Sequence, residues 1–127
     1  MPAQYNLKII THFASAHSLR NYPGDCNRLH GHNWKVEVEV IATRLDDIGM
    51  GVDFRVIKQE ARSVAKVLDH HYLNDIAPFD HINPTAENIA AYFFQELSAR
   101  LNQGPDLKVA AVTLWETERA SVRYSED

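Results

Sequence analysis

Between Trp34 and Thr43 the chain alternates. Trp34, Val36, Val38, Val40 and Ala42 fall on one side, and Lys35, Glu37, Glu39 and Thr43 on the other. Only a strand, whose side chains point to opposite faces at every step, produces that period. Any fold for this chain must therefore hold a sheet with one buried face, and Ile41 is the one residue out of phase. A second alternating run spans residues 5–13, with Tyr5, Leu7, Ile9, Thr11 and Phe13 opposed by Asn6, Lys8 and His12; Ile10 is its misfit. Residues 18–29 (SLRNYPGDCNRL) are irregular, with a turn at Pro23-Gly24-Asp25.

After glycines 49 and 51 the period changes. Asp53 is placed to cap a helix with Phe54, Ile57, Ala61, Val64 and Leu68 on one face. Pro84-Thr85 opens a second helix, whose apolar positions run from Ile89 to Leu101 and which Gly104-Pro105 stops. Residues 108–117 are apolar on both faces, and a strand of that kind needs cover on both sides. Helices can cover one side and another subunit the other. A last short strand is expected at residues 120–124. The order ββααββ points to an α+β fold, with two helices covering one face of an antiparallel sheet. At 127 residues the chain is expected to form a single domain, 1–127. Periodicity leaves the strand order open.

With 13 basic and 17 acidic residues the formal charge is -4, which argues against a nucleic-acid partner, since phosphate binding calls for a basic stripe. No apolar run approaches a membrane span, and the first residues carry no signal-peptide pattern. A single cysteine cannot form an internal disulfide, which suits a reducing cytoplasm.

The stretch CNRLHGHNW, residues 26–34, gathers that cysteine and two of the seven histidines at the mouth of the strongest strand. If the extended chain runs back from Trp34, His32 and His30 share its face, and Gly31 between them crowds nothing. Two imidazoles at i and i+2 begin a metal site, and zinc takes about four ligands, three from protein when one position is left open for chemistry. His17 is the leading third ligand, because it keeps the parity of Leu7, Ile9 and Phe13; His12 has the opposite parity. A closed structural site of Cys26, His17, His30 and His32 remains an alternative at this point.

Two further features bear on chemistry. In LDHHYLND (68–75) Asp69 precedes His70, a pairing that can orient an imidazole for proton transfer or simply end a helix with a favourable cation. Glu116 sits in an apolar strand. Buried, it needs a cationic or N–H-rich partner; at a strand end it can face solvent.

Together FASAH (13–17), CNRLHGHNW (26–34), LDHHYLND (68–75), NPTAEN (83–88) and WET (115–117) resemble the 6-pyruvoyl-tetrahydropterin synthase family, in the same order and over nearly the whole chain. The C-x3-H-G-H spacing is similar to the 6-carboxytetrahydropterin synthase branch, which serves queuosine synthesis. The resemblance implies the T-fold, a four-stranded antiparallel sheet with two helices on one face. It also implies a cytoplasmic homohexamer, a dimer of trimers with active sites between subunits. It implies Zn2+ on His17, His30 and His32, a catalytic thiol at Cys26, and a proton relay of Asp69 with His70. Glu116 then grips the pterin ring, and Thr85 lies along the pocket. The implied substrate is 7,8-dihydroneopterin triphosphate. The implied products are 6-carboxy-5,6,7,8-tetrahydropterin, acetaldehyde and triphosphate; the pyruvoyl branch keeps the side chain instead. A zinc-binding protein without chemistry is the non-enzymatic alternative.

Overall fold

A computed structural model describes residues 3–24 and 28–127. Four strands, β1 (Tyr5–His17), β2 (His30–Ala42), β3 (Leu107–Thr117) and β4 (Ala120–Tyr124), form one antiparallel sheet in the order β1-β2-β3-β4. Two helices, α1 (Phe54–Leu68) and α2 (Ala86–Leu101), lie between β2 and β3 in sequence, and α1 packs on β1 while α2 packs on β3 and β4. The ββααββ order and the T-fold hold.

Both helices begin where their caps predict. The Asp53 carboxylate accepts from the Arg55 backbone N–H at 2.8 Å, and the Thr85 hydroxyl from that of Asn88 at 3.1 Å. The Thr85 cap is worth about 1 kcal/mol. The second helix ends at Asn102, two residues before Gly104-Pro105, because the Asn102 carboxamide turns back to accept from the Val109 N–H at 2.8 Å. The connection into α1 is close-packed, and a Cβ on Gly51 would stand 2.5 Å from that of Ala42.

Strands β1 and β2 are longer than their alternating cores. β1 continues through Ala14, Ser15 and Ala16 to His17, and β2 begins at His30, so both ends overlap in register, His17 opposite His30 and Ser15 opposite His32. The helix-side face of the sheet carries the core, with Phe13, Trp34, Val36 and Val38 packed on Ile57, Leu68, Phe93 and Leu97.

The opposite face is polar but not uniformly open. Glu39 is 4% exposed there, and Arg123 of β4 reaches across Ala111 of β3 to donate to it at 2.9 and 3.3 Å. The guanidinium hydrogen bonds, ahead of a weaker opposing push from burial, hold the Glu39 carboxyl below its usual range. A depressed carboxyl pKa contributes stability above the unfolded-state value of about 4.3, and that contribution fades as pH falls through the folded value. Arg123→Ala is thus expected to lower the unfolding free energy by about 1–3 kcal/mol near neutral pH. The gap from wild type should narrow in urea titrations run below about pH 4.

Candidate metal centre

The extended ends of β1 and β2 bring three imidazoles together on the helix-side face. His17, His30 and His32 each offer a ring nitrogen, and these atoms lie within 4.8 Å of one another. Trp34, fully buried one step further along β2, sits beneath His17 and His32 with ring centroids 5.1 Å from each. The parity argument that chose His17 over His12 corresponds to what is seen: His17 is 1% exposed, and His12 is exposed on the far face. Gly31 has no positive φ, and an added Cβ would meet only the Ser15 carbonyl at 3.8 Å. Its conformational freedom is not used here.

Hydrogen bonds fix the tautomers of two rings. His17 Nδ1 lies 2.7 Å from the Pro84 carbonyl and His30 Nδ1 2.8 Å from that of Arg28. A carbonyl only accepts, so each Nδ1 carries the proton and each Nε2 presents a lone pair. Yet these two Nε2 atoms face each other at 2.9 Å. Two lone pairs at that separation repel unless a cation lies by them. Zinc–nitrogen bonds of about 2.0–2.1 Å in tetrahedral geometry set neighbouring ligand nitrogens roughly 3.3 Å apart, close to what is found. His32 Nε2 is buried without a partner in the same place. Burial lowers the pKa of His17 and of His32, opposed at His17 chiefly by the Pro84 hydrogen bond and at His32 by Glu116, so both rings favour the neutral form that a metal ligand requires. The donor set fits a zinc ion.

Glu116 closes the third side. Its carboxylate oxygens are 3.9 Å from His17 Nε2 and from His32 Nε2. Glu116 also lines a cavity of about 340 Å³ with Leu19, Tyr22, Thr85 and Ser121. Glu116 and Thr85 therefore share one concavity beside the imidazoles. The Thr85 hydroxyl is already engaged as the helix cap.

Asp69 and His70 lie at the outer edge of β1. One Asp69 oxygen accepts from the Ala14 N–H at 2.8 Å and the other pairs with His70 Nδ1 at 2.9 Å. The first of these contacts, with His70 second, holds the Asp69 carboxyl below its ordinary range. His70 has φ 59° and stands well exposed, sharing a shallow cavity of about 460 Å³ with His32 and His71. Cys26 lies outside the described residues.

The lattice behind the site escaped sequence reasoning. The Asn74 carboxamide accepts from the Ser18 N–H and donates to its carbonyl, at 3.0 and 2.9 Å. Asn83 does the same to Arg20, at 2.9 Å both ways. Two side chains thus pair with alternate residues as a neighbouring strand would. The Arg20 guanidinium adds bonds to the carbonyls of Phe79 and Ile82. Asn83 directly precedes Pro84, whose carbonyl holds His17, so the lattice supports a ligand. The only signal in the sequence was Asn83 at the start of NPTAEN, which reads as helix-start chemistry. Arg55 pairs with Asp53, and Lys35 lies over the Trp115 ring on the far face.

The chain is 37% identical over 117 residues to the 6-carboxy-5,6,7,8-tetrahydropterin synthase of Synechocystis, covering 88% of this chain and 86% of the relative. It is 33% identical to the protein of that name from Bacillus subtilis, covering 80% and 70%. Among solved structures, the 6-pyruvoyl tetrahydropterin synthase of Caenorhabditis elegans superposes with a TM-score of 0.85 at 25% identity, over 98% of this chain and 97% of that one. No helix is long and apolar enough to cross a membrane. The profile of one family, described as 6-pyruvoyl tetrahydropterin synthase, matches residues 6–127, and the chain belongs to that family of pterin synthases.

Proposed function

We propose that the protein is a zinc-dependent lyase converting 7,8-dihydroneopterin triphosphate to 6-carboxy-5,6,7,8-tetrahydropterin, with loss of acetaldehyde and triphosphate, in queuosine synthesis. The observation that carries the zinc reading is the convergence of His17, His30 and His32 on one point beside Glu116. The choice of branch rests on relatives that bear the 6-carboxy name.

In this reading His17, His30 and His32 would hold zinc, which would supply Lewis acidity toward the substrate's side-chain hydroxyls and the adjacent C–H. Cys26 takes the proton as general base. An ordinary thiol is only a few per cent ionised near neutral pH, so its surroundings must favour the thiolate. Asp69 orients His70, which moves protons at the far end of the side chain. Glu116 accepts hydrogen bonds from the amino and ring N–H groups of the pterin, with Thr85 along the same cavity. The assembly proposed is a homohexamer in the cytoplasm, with active sites at subunit interfaces and an inactive monomer.

Glu116→Gln keeps the shape of the side chain and removes its charge. Charged hydrogen bonds contribute about 1.5–3 kcal/mol, so KM should rise roughly 10- to 100-fold with zinc content unchanged. Loss of zinc from this variant would make Glu116 a metal ligand instead. The reaction itself is tested by incubating the zinc-loaded protein with 7,8-dihydroneopterin triphosphate and analysing the products. Acetaldehyde together with a carboxypterin supports the proposal. A retained three-carbon side chain supports the pyruvoyl reaction, the second reading, which the close superposition on the Caenorhabditis elegans enzyme favours. No turnover of the substrate by zinc-loaded oligomer would leave only the binding protein.

A further inference from the structure

The β1–β2 register sets successive rungs on the helix-side face: His17 opposite His30, Ser15 opposite His32, and Phe13 opposite Trp34. The first two rungs offer four side-chain positions around one point, of which three are imidazoles and the fourth is Ser15. Ser15 is 7% exposed, and its hydroxyl has no hydrogen-bond partner among the described residues. A buried, unpaired hydroxyl is unfavourable by about 1–3 kcal/mol, so its presence in a strand that could hold alanine calls for a role.

His32 presents the complementary vacancy. The rings of His17 and His30 are anchored through Nδ1 on the carbonyls of Pro84 and Arg28. Among the described residues nothing anchors Nδ1 of His32 in the same way, and its Nε2 is the buried, unpaired atom. Imidazoles that bind metal through one nitrogen almost always donate the other N–H to an acceptor, which fixes ring orientation and raises basicity. Directly opposed residues on one face of an antiparallel pair have Cβ atoms about 5 Å apart, within reach of a hydroxyl that turns about a single side-chain bond. Trp34 Nε1, the other buried unpaired group nearby, is a donor and cannot serve.

We propose that Ser15 is a positioning residue for the metal centre: its Oγ accepts a hydrogen bond from His32 Nδ1–H when Nε2 of that ring is engaged. The inference rests on the zinc reading given above. It supplies the third ligand with the outer contact that the backbone gives to the other two. Replacement of Ser15 by alanine is then a loss of orientation rather than of a ligand.

The test is zinc affinity of the full-length protein, measured by competition with a chromophoric chelator, together with the visible spectrum of the cobalt-substituted protein. Ser15→Ala should weaken zinc binding by about 10- to 100-fold and alter the cobalt bands. Its metal-free melting temperature should equal or exceed that of wild type, since alanine loses no partner and relieves the burial of an unpaired hydroxyl. Ser15→Thr, which keeps the hydroxyl on a strand-favouring side chain, should restore affinity. Thr11→Val, on the same face of β1 and away from the imidazoles, should leave it unchanged. If wild type takes up no zinc, the metal centre itself is wrong. If wild type binds zinc and Ser15→Ala binds it equally tightly with the same cobalt spectrum, only the role of Ser15 falls. A weakening that Ser15→Thr does not recover points to packing and overturns the proposal as well.

Discussion

His17→Ala is expected to leave the purified protein without zinc and without turnover. His17 is the most deeply buried of the three imidazoles and belongs to β1, whereas His30 and His32 both belong to β2. It ties the two strands to the Pro84 carbonyl, and its Nε2 lies 2.9 Å from that of His30 and 3.9 Å from the Glu116 carboxylate. Two histidines on one strand cannot by themselves surround an ion that takes about four ligands. The loss in affinity should exceed the 10- to 100-fold typical of removing an outer contact. Zinc per chain, read by mass spectrometry of the metal, should fall from about one to near zero. The truncation also opens a cavity against the Trp34 ring, so some loss of thermal stability should accompany it. Full zinc occupancy in a folded His17→Ala protein would falsify the assignment of the centre.

Cys26→Ala should do the reverse, keeping the metal and losing the chemistry. A general base contributes about 10²- to 10⁴-fold, and turnover should drop by that order with zinc content and oligomeric state at wild-type levels. The same variant separates the open site from the closed one. If sulfur is a fourth ligand, metal binding fails along with activity, and chelation should unfold the wild-type domain. Zinc content measured beside the rate therefore decides which site this is.

Much of the fold was legible because a strand needs only its pleat. Trp34, Val36 and Val38 declare their face by alternation, and the same alternation carried backwards gives the orientation of His30 and His32 without knowledge of any contact. The extent of β1 was less legible. Ala14 and Ala16 are small and apolar on the polar face, so the alternation blurs just where Ser15 and His17 continue it. Strand order depends on which edges meet, and no periodic signal encodes that. The left-handed backbone of His70 and the carboxamide lattice of Asn74 and Asn83 were not legible either. Side chains that bond to backbone more than fifty residues away leave no local trace.

That lattice bears on how such a protein can change over time. The backbone is fastened at Arg20 by Asn83, and again at Arg28, whose carbonyl holds the His30 ring. Residues may be gained or lost between those two fixed points without moving the imidazoles, and each doubling of such a loop raises its closure cost by only about 0.6 kcal/mol. Cys26 falls inside that interval. Under the proposed role of Cys26, the reach of its thiol can therefore be retuned by insertion or deletion alone, while the imidazole cluster stays where the sheet holds it.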